Sequence, residues 1–478
     1  MDPDVQLTLS ILTLAHFALF VAVALRVLSR PQLNTSTRTA WMFVLLSLPF
    51  LGIVAYLLVG EVYFRQGRRS RIDWASKAVQ PYIAASGEPR DPEQWGPSSA
   101  FATSVNGFGV CLGNRAELLE SPEGARRRMI EDMDAATDSI NVLYYIWLDD
   151  NTGRAVASAL IRAAKRGVTC RVIVDALGSR AFTRSQTWKE LQAAGVKTAI
   201  ALSLKNPFRA MMERRLDLRN HRKITVIDGR ICHAGSQNCA DPEFLPKRKY
   251  APWVDIMVRL EGPVARQMNL LFAENWLLYH DENPALFAAE TPVFPDGIPA
   301  QVVGTGPTTG RLAAAQLFSR LIFEAQQELI IVTPYFVPGE VVCAALLGAA
   351  FSGVNVTLIV PRRNDSQFVS RASRSYYPLL IEAGVTIAEY NGGLLHSKIL
   401  TIDGRKTFMG SSNMDIRSFD LNFENDVLLH DPKVTQEIRA RQLSYLEQST
   451  LVDPEAVRRW PVYKRVWLNL FATMGPLL

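Results

Sequence analysis

Histidine and cysteine are scarce in this chain, six and five among 478 residues. The cysteines (Cys111, Cys170, Cys232, Cys239 and Cys343) are odd in number and scattered. They outline neither a disulfide framework nor a metal cluster and suit a reducing compartment. His233, His280 and His430 lack zinc-type spacing to Cys or Asp, so they read as structural or surface residues, and neither metal nor cofactor is expected. Low-complexity tracts and blocks of like charge are missing too, which leaves a globular composition. The net charge is only +6, from 52 Lys+Arg against 46 Asp+Glu. That excess favours anionic partners without choosing among them, and the lack of a basic stripe argues against nucleic acid. The length exceeds what one hydrophobic core usually serves, so two lobes are expected.

One absence is local. Residues 5–25 and 39–60 hold no Asp, Glu, Lys or Arg. Runs of 21 and 22 residues can each cross a hydrocarbon core of about 30 Å, which predicts a transmembrane helical hairpin over residues 1–62. Asp2 and Asp4 at the front fit a cleaved signal peptide poorly. Arg26, Arg30 and Arg38 lie between the runs, and Arg65, Arg68, Arg69, Arg71 and Lys77 follow them. The larger positive count after the second run puts the bulk of the chain on the cytoplasmic side. His16, inside the first run, is expected to face the partner helix. Residues 63–100, rich in Pro, Gly and Ser toward their end, read as a juxtamembrane linker.

What the rest of the chain does have is one polar pattern written twice, His-x-Lys-x4-Asp-x6-Gly-Ser-x-Asn. The first copy is His221, Lys223, Asp228, Gly235, Ser236 and Asn238; the second is His396, Lys398, Asp403, Gly410, Ser411 and Asn413. Equal spacing throughout points to a duplicated catalytic unit. From about residue 101, apolar strands alternate with amphipathic helices, an α/β pattern. Strands are expected at 141–147 and 169–176 around a helix at 154–166. The order repeats with strands at 328–337 and 355–361 around a helix at 340–351, followed by a helix at 376–383 and a strand at 385–390. Each motif begins as a strand running into an Asp-Gly turn, so alternation would set His and Lys on one face of it. Gly235 and Gly410 would let a ligand approach the backbone closely.

These groups suit attack on a phosphodiester. Lys223, Lys398, Asn238 and Asn413, with Ser236 and Ser411, would bind phosphoryl oxygens and offset charge growing in the transition state. One neutral imidazole would attack phosphorus while the other protonates the departing oxygen, after which the second imidazole activates an alcohol or water. Symmetry leaves open which histidine does which. Asp228 and Asp403, though part of the catalytic motif, sit at turns and are expected to brace the half-sites rather than exchange protons. Each histidine also needs an orienting carboxylate. Glu424 follows His396 by 28 residues and Asp255 follows His221 by 34, which assigns one to each half.

The motifs resemble the phospholipase D superfamily, whose hallmark is the duplicated His-x-Lys-x4-Asp pattern; the match runs from about residue 101 to the C-terminus. The whole chain is similar to the bacterial cardiolipin synthases with two transmembrane helices. That narrower resemblance rests on Tyr144-Tyr145-Ile146-Trp147, Leu218-Arg219-Asn220-His221-Arg222-Lys223, Trp253-Val254-Asp255, Thr333-Pro334-Tyr335-Phe336-Val337-Pro338, Met414-Asp415-Ile416-Arg417-Ser418-Phe419 and Leu421-Asn422-Phe423-Glu424. It implies two pseudo-twofold-related α/β/α lobes, residues 101–295 and 296–478, sharing one active site behind the membrane hairpin. It implies transfer of a phosphatidyl group from one phosphatidylglycerol to another through a phosphohistidine, with His221 the nucleophile and His396 the acid and base. A bacterial inner membrane and anionic phospholipid partners follow from it. A hydrolase using water, or another phosphatidyltransferase, would carry the same motifs.

Weaker features remain. Residues 204–218 place Phe208, Met211, Met212 and Leu216 beside Lys205, Arg209, Arg214 and Arg215, a basic amphipathic stretch suited to a headgroup layer. The tail 462–478, with Trp467, Phe471 and Leu478, is a second interfacial candidate. Tyr144, Tyr145, Trp147, Tyr335 and Phe336 are candidates to line the cleft, and Arg417 to contact phosphate. Gly304-Thr305-Gly306 lacks nucleotide-loop spacing and reads as a turn. Gln237 stands where the second half has Ser412.

Overall fold

A computed structural model describes residues 3–473 except 32, 34, 62–63, 85–91, 204–214, 216 and 311. Most of the basic stretch at 204–218 and the end of the tail, including Leu478, lie outside the described residues. Residues 1–68 with 205–218 form one compact unit; 69–204 with 219–478 form the other.

In the first unit, helix Pro3–Ser29 covers the first apolar run, and its segment Asp4–Ser29 is long and apolar enough to cross a membrane. Its apolar side chains are mostly exposed, Leu12, Leu14 and Phe17 among them, the reverse of a soluble core helix. The second run is not one helix. It divides into Thr35–Ser47 and Pro49–Val59, because Pro49 offers no N–H to the preceding turn and biases Leu48 out of helical geometry, at φ −134° and ψ 68°. Val23, Val27, Leu45, Ile53 and Tyr56 pack these helices together. Arg26 and Arg30 both pair with Glu61, and His16 stacks on Phe50 with ring centroids 3.8 Å apart. The stretch read as a linker is partly helical, with Gln66–Ala84 and Pro97–Asn106 both helices.

The second unit is built on a mixed 16-stranded sheet. The strand order reveals the duplication. From the centre outward, the first half runs Cys111–Leu118, Met257–Glu261, Ile231–Gly235, Lys223–Ile227, Ser139–Tyr144, Thr169–Asp175, Lys197–Ala201. The second runs Ile298–Thr305, Asn422–Leu429, Lys406–Gly410, Ile399–Ile402, Glu328–Val332, Asn355–Pro361, Thr386–Tyr390, with Ser449–Leu451 added at its edge. Strands Cys111–Leu118 and Ile298–Thr305 pair antiparallel, so one sheet reads as the same sequence of strands from its middle to either end. In each half three strands run parallel through βαβ crossovers, and the motif hairpin joins them antiparallel.

The local reasons are ordinary. Helix Asn151–Lys165 starts earlier than its apolar period implies because Asp150 caps it, accepting from Gly153 N–H. It buries Val156, Ala157, Leu160 and Ala163 against the sheet. Two expected strands are shorter than the apolar runs that announced them. Ser139–Tyr144 stops before Tyr145, and Glu328–Val332 stops before Thr333; Phe336–Val337 instead pairs with Met414–Asp415. In both halves the chain leaves the sheet where it reaches the site.

Candidate active site

Each motif hairpin turns at a residue that pays for an unusual backbone. Asp228 and Asp403 both sit at φ 50°, followed by Gly229 and Gly404 at φ 64° and 62°. A non-glycine residue there costs about 1 kcal/mol or more. The aspartate side chains offset it: Asp228 accepts from the N–H groups of Thr137, Asp138 and Ser139, and Asp403 from those of Gln326, Gln327 and Glu328. Both carboxylates tie the turn to the start of the neighbouring strand, and their hydrogen bonds go to backbone at the end of the sheet rather than to the histidines.

At the other end of the hairpin the histidines do not lie on a regular strand, as alternation had implied. His221 falls between the two-residue strand Arg219–Asn220 and strand Lys223–Ile227; His396 falls between Leu394–Leu395 and Ile399–Ile402. Those two short strands decide the site, because each pairs in parallel with a strand from the opposite half. Arg219–Asn220 pairs with Asn422–Phe423, and Leu394–Leu395 with Trp253–Val254. His221 N–H then donates to Phe423 O and His396 N–H to Val254 O. The next residue on each partner strand is a carboxylate.

The histidine–carboxylate pairs are therefore crossed. His221 Nδ1 lies 2.8 Å from Glu424 Oε2, and His396 Nδ1 lies 2.6 Å from Asp255 Oδ1. This corrects the expectation that each carboxylate serves the histidine of its own half. The serines complete the crossing from the opposite direction. Ser236 Oγ donates to Asp255 and Ser411 Oγ to Glu424, while each hydroxyl accepts a backbone N–H, from Ile256 and Asn425. Ser236 and Ser411 are fully buried and committed to these bonds, so they hold the carboxylates rather than face a phosphate, a second correction. A third concerns the glycines. A Cβ on Gly235 would collide with Ile256 O, and one on Gly410 with Asn425 O and Asp426; the close approach they permit is by the next strand, not by a ligand.

Both lysines turn back on their own motif, Lys223 Nζ to His221 O at 2.8 Å and Lys398 Nζ to His396 O at 2.6 Å. Burial pushes Lys223 down to about 8 and Lys398 down to about 7, against the pull of Glu424 and Asp255. Burial likewise pushes both imidazoles down to about 4, assisted by the lysines and opposed by the paired carboxylates. In the substrate-free site at neutral pH each ring is thus uncharged, with Nδ1–H given to its carboxylate and Nε2 able to gain a proton when an anion binds. Asn238 Oδ1 and Asn413 Oδ1 are buried without a partner. Asn413 Nδ2 lies 3.2 Å from Ser418 Oγ, so the opposite amide orientation would accept from that hydroxyl and present NH2 instead.

Several neighbours were not legible as site residues. Asn425 spans the halves, with Oδ1 accepting from Lys223 N–H and Nδ2 donating to Lys223 O. Asp426, raised to about 7 by burial despite the hydrogen bonds of Ser412, accounts for the Gln237/Ser412 asymmetry. Ser412 is bound to Asp426, whereas Gln237 donates to Pro122 O and the strand position matching Asp426 is Met257. Of the aromatic candidates, Tyr145 lies on His221, with centroids 4.9 Å apart; Trp253, which was not among them, lies on His396 at 4.5 Å. Tyr144 and Trp147 pack in the core of the first half and Phe336 in that of the second. Tyr335 donates to Asp365, and Arg417 carries its charge near Tyr145 and Asp415.

A family model described as cardiolipin synthase, PLD-like domain, matches residues 129–276 and 318–444, one segment around each half-site. The chain belongs to the cardiolipin synthase family of the phospholipase D superfamily. Cardiolipin synthase A of Yersinia pseudotuberculosis serotype O:1b (strain IP 31758) is 34% identical over 97% of this chain and 97% of its own length, and so is Cardiolipin synthase A of Yersinia pestis. Residues 18–61 match a second model, phospholipase D-nuclease N-terminal. Among solved structures, phosphatidylserine synthase of Haemophilus influenzae Rd KW20 superposes with a TM-score of 0.58 at 14% identity, covering 79% of this chain and 97% of that one; at that identity the likeness is one of fold.

Proposed function

We propose that this protein is a phosphatidyltransferase that makes cardiolipin, moving the phosphatidyl group of one phosphatidylglycerol to a hydroxyl of another and releasing glycerol. The observation that carries this reading is the pair of crossed, buried histidine–carboxylate couples flanked by two lysines, in a chain that aligns end to end with cardiolipin synthases. His221 Nε2 attacks phosphorus, forming a P–N bond as the P–O bond to glycerol breaks, and His396, which takes up a proton on Nε2 once the anionic phosphodiester is bound beside it, gives that proton to the departing oxygen. The second phosphatidylglycerol then surrenders its hydroxyl proton to His396, and its oxygen takes phosphorus from His221. Lys223, Lys398, Asn238 and Asn413 hold the non-bridging oxygens, and Glu424 and Asp255 stabilise each imidazolium as it forms.

A substrate with two acyl chains stays in the bilayer, so an anchored enzyme meets it by lateral diffusion. Helix Asp4–Ser29 supplies one span, and the broken helix pair Thr35–Ser47 and Pro49–Val59 supplies the return. The catalytic unit then lies on the cytoplasmic side of a bacterial inner membrane, with anionic phospholipid as both donor and acceptor. Supplying the purified full-length protein with headgroup-labelled phosphatidylglycerol is expected to yield cardiolipin and free glycerol one for one. Phosphatidate without cardiolipin would make it a hydrolase instead.

The same chemistry fixes a pH profile. In the free enzyme a protonated imidazole cannot attack, so kcat/KM is expected to fall below about pH 4. On the alkaline side two groups lose a proton that the reaction needs, His396 its acidic proton and Lys398 its charge, the latter from about pH 7, so kcat/KM falls again as pH rises. Lys398→Arg retains the charge and moves the alkaline limb upward, whatever it costs in rate. An alkaline limb that stays in place in that variant removes Lys398 from the assignment.

A further inference from the structure

Among the described residues, helix Val462–Thr473 is exposed on one side in a way that the catalytic scheme does not use. It lies on helix Gln367–Ser375 through buried Leu468 and through Phe471, which meets Phe368 edge-on at 4.8 Å with Arg371 above it. At 100° per residue, Val462, Val466, Leu470, Tyr463 and Trp467 occupy one continuous arc outside that contact. All five are more than half exposed. An arc of five such side chains, joined only by Thr473 at the end of the helix, is unusual on a surface in water. Its composition is that of a membrane interface, where Trp and Tyr set one end in the headgroups and aliphatic side chains reach the acyl boundary. The flanks are cationic: residues 454–473 carry Arg458, Arg459, Lys464 and Arg465 against Glu455, an excess of 4 − 1 = 3.

We infer that this helix lies flat in the anionic bilayer surface and holds the catalytic unit against it, a contact separate from the N-terminal spanning segment. The inference rests on the membrane reading above. Charge complementarity with anionic phospholipid favours the bilayer as occupant. So does size, since five side chains on one short helix offer a few hundred Å2, against roughly 800 Å2 per partner in a stable protein interface. The physical consequence concerns the reaction. A spanning helix confines the enzyme to the membrane, whereas a contact on the catalytic unit itself would keep the cleft at headgroup depth.

The test uses the full chain with Val466→Cys, labelled with an environment-sensitive fluorophore; the five native cysteines are all buried, so the label goes to position 466. In vesicles of phosphatidylglycerol and phosphatidylcholine the emission is expected to shift to the blue and to be quenched by nitroxide on the lipid acyl chains, less so in phosphatidylcholine alone. A chain that floats with the vesicles while position 466 keeps a water-like, unquenched emission overturns the inference and leaves the membrane reading standing. A chain that does not float overturns both. Shielding that disappears as the total protein-to-lipid ratio is lowered overturns it in favour of an interface between two copies. As a second measure, Val466→Glu with Leu470→Glu changes only exposed positions; turnover of vesicle phosphatidylglycerol is expected to drop about tenfold while turnover of detergent-dispersed lipid stays within about twofold. Equal losses in both assays count against a surface role.

Discussion

Substituting alanine for His221 should abolish turnover, a loss on the order of 10^4-fold or more, because the substitution removes the group that forms the phosphoryl bond. The same substitution at His396 should give a comparable loss in the full reaction by a different route. Acid quenching separates the two. With a phosphatidyl ester whose leaving group needs no proton, such as a nitrophenol ester, the His396→Ala protein is expected to accumulate a covalent phosphatidyl adduct that it cannot pass on. The His221→Ala protein should form none. Both imidazoles are buried and make one strong side-chain hydrogen bond each, so a melting curve on each variant is needed to establish that the fold survives. An adduct in His221→Ala and none in His396→Ala would exchange the two roles, which the near-symmetry of the site permits. Turnover near the parent level in either variant would end the two-histidine mechanism.

The repeated motif disclosed the duplication, and hydropathy disclosed the parallel strands around it, because both depend on residues close together in sequence. Helix 340–351 and strand 355–361 are seen at Gly339–Phe351 and Asn355–Pro361 for that reason. What the sequence could not disclose lies where one half touches the other. Strands Arg219–Asn220 and Leu394–Leu395 have two residues each, too short for any periodicity, and their partners are far along the chain. Pairing of that kind is set by tertiary packing, so spacing assigned Glu424 and Asp255 to the wrong histidines, although these are the two carboxylates that the imidazoles contact. Ser236 and Ser411 were misread for a related reason. A hydroxyl beside a motif glycine serves a phosphate or a carboxylate equally well, and only the position of the neighbouring strand decides. The break at Pro49 was legible in principle, since proline within an apolar run interrupts a helix, but uniform hydropathy concealed it.

The crossing makes the second large effect specific in sign. Glu424→Gln should lower kcat by about 10^3- to 10^4-fold, the scale expected when the carboxylate behind a catalytic imidazole becomes an amide that can present the wrong tautomer. Asp255→Asn should do the same to the overall rate. The partial reactions differ. Glu424 holds His221, so Glu424→Gln should slow adduct formation from the nitrophenol ester. Asp255 holds His396, so Asp255→Asn should leave that step near its parent rate and slow transfer from the adduct to the acceptor alcohol, for which His396 must take a proton. If each carboxylate instead served the histidine of its own half, the two phenotypes would be exchanged. Their difference therefore reads the connectivity of the site directly, independent of how far each variant falls. Ser236 and Ser411, which donate to Asp255 and Glu424 in turn, give a graded version of the same test. Ser411→Ala should weaken adduct formation and Ser236→Ala the transfer step, each by roughly tenfold, the worth of one hydrogen bond to a buried charge.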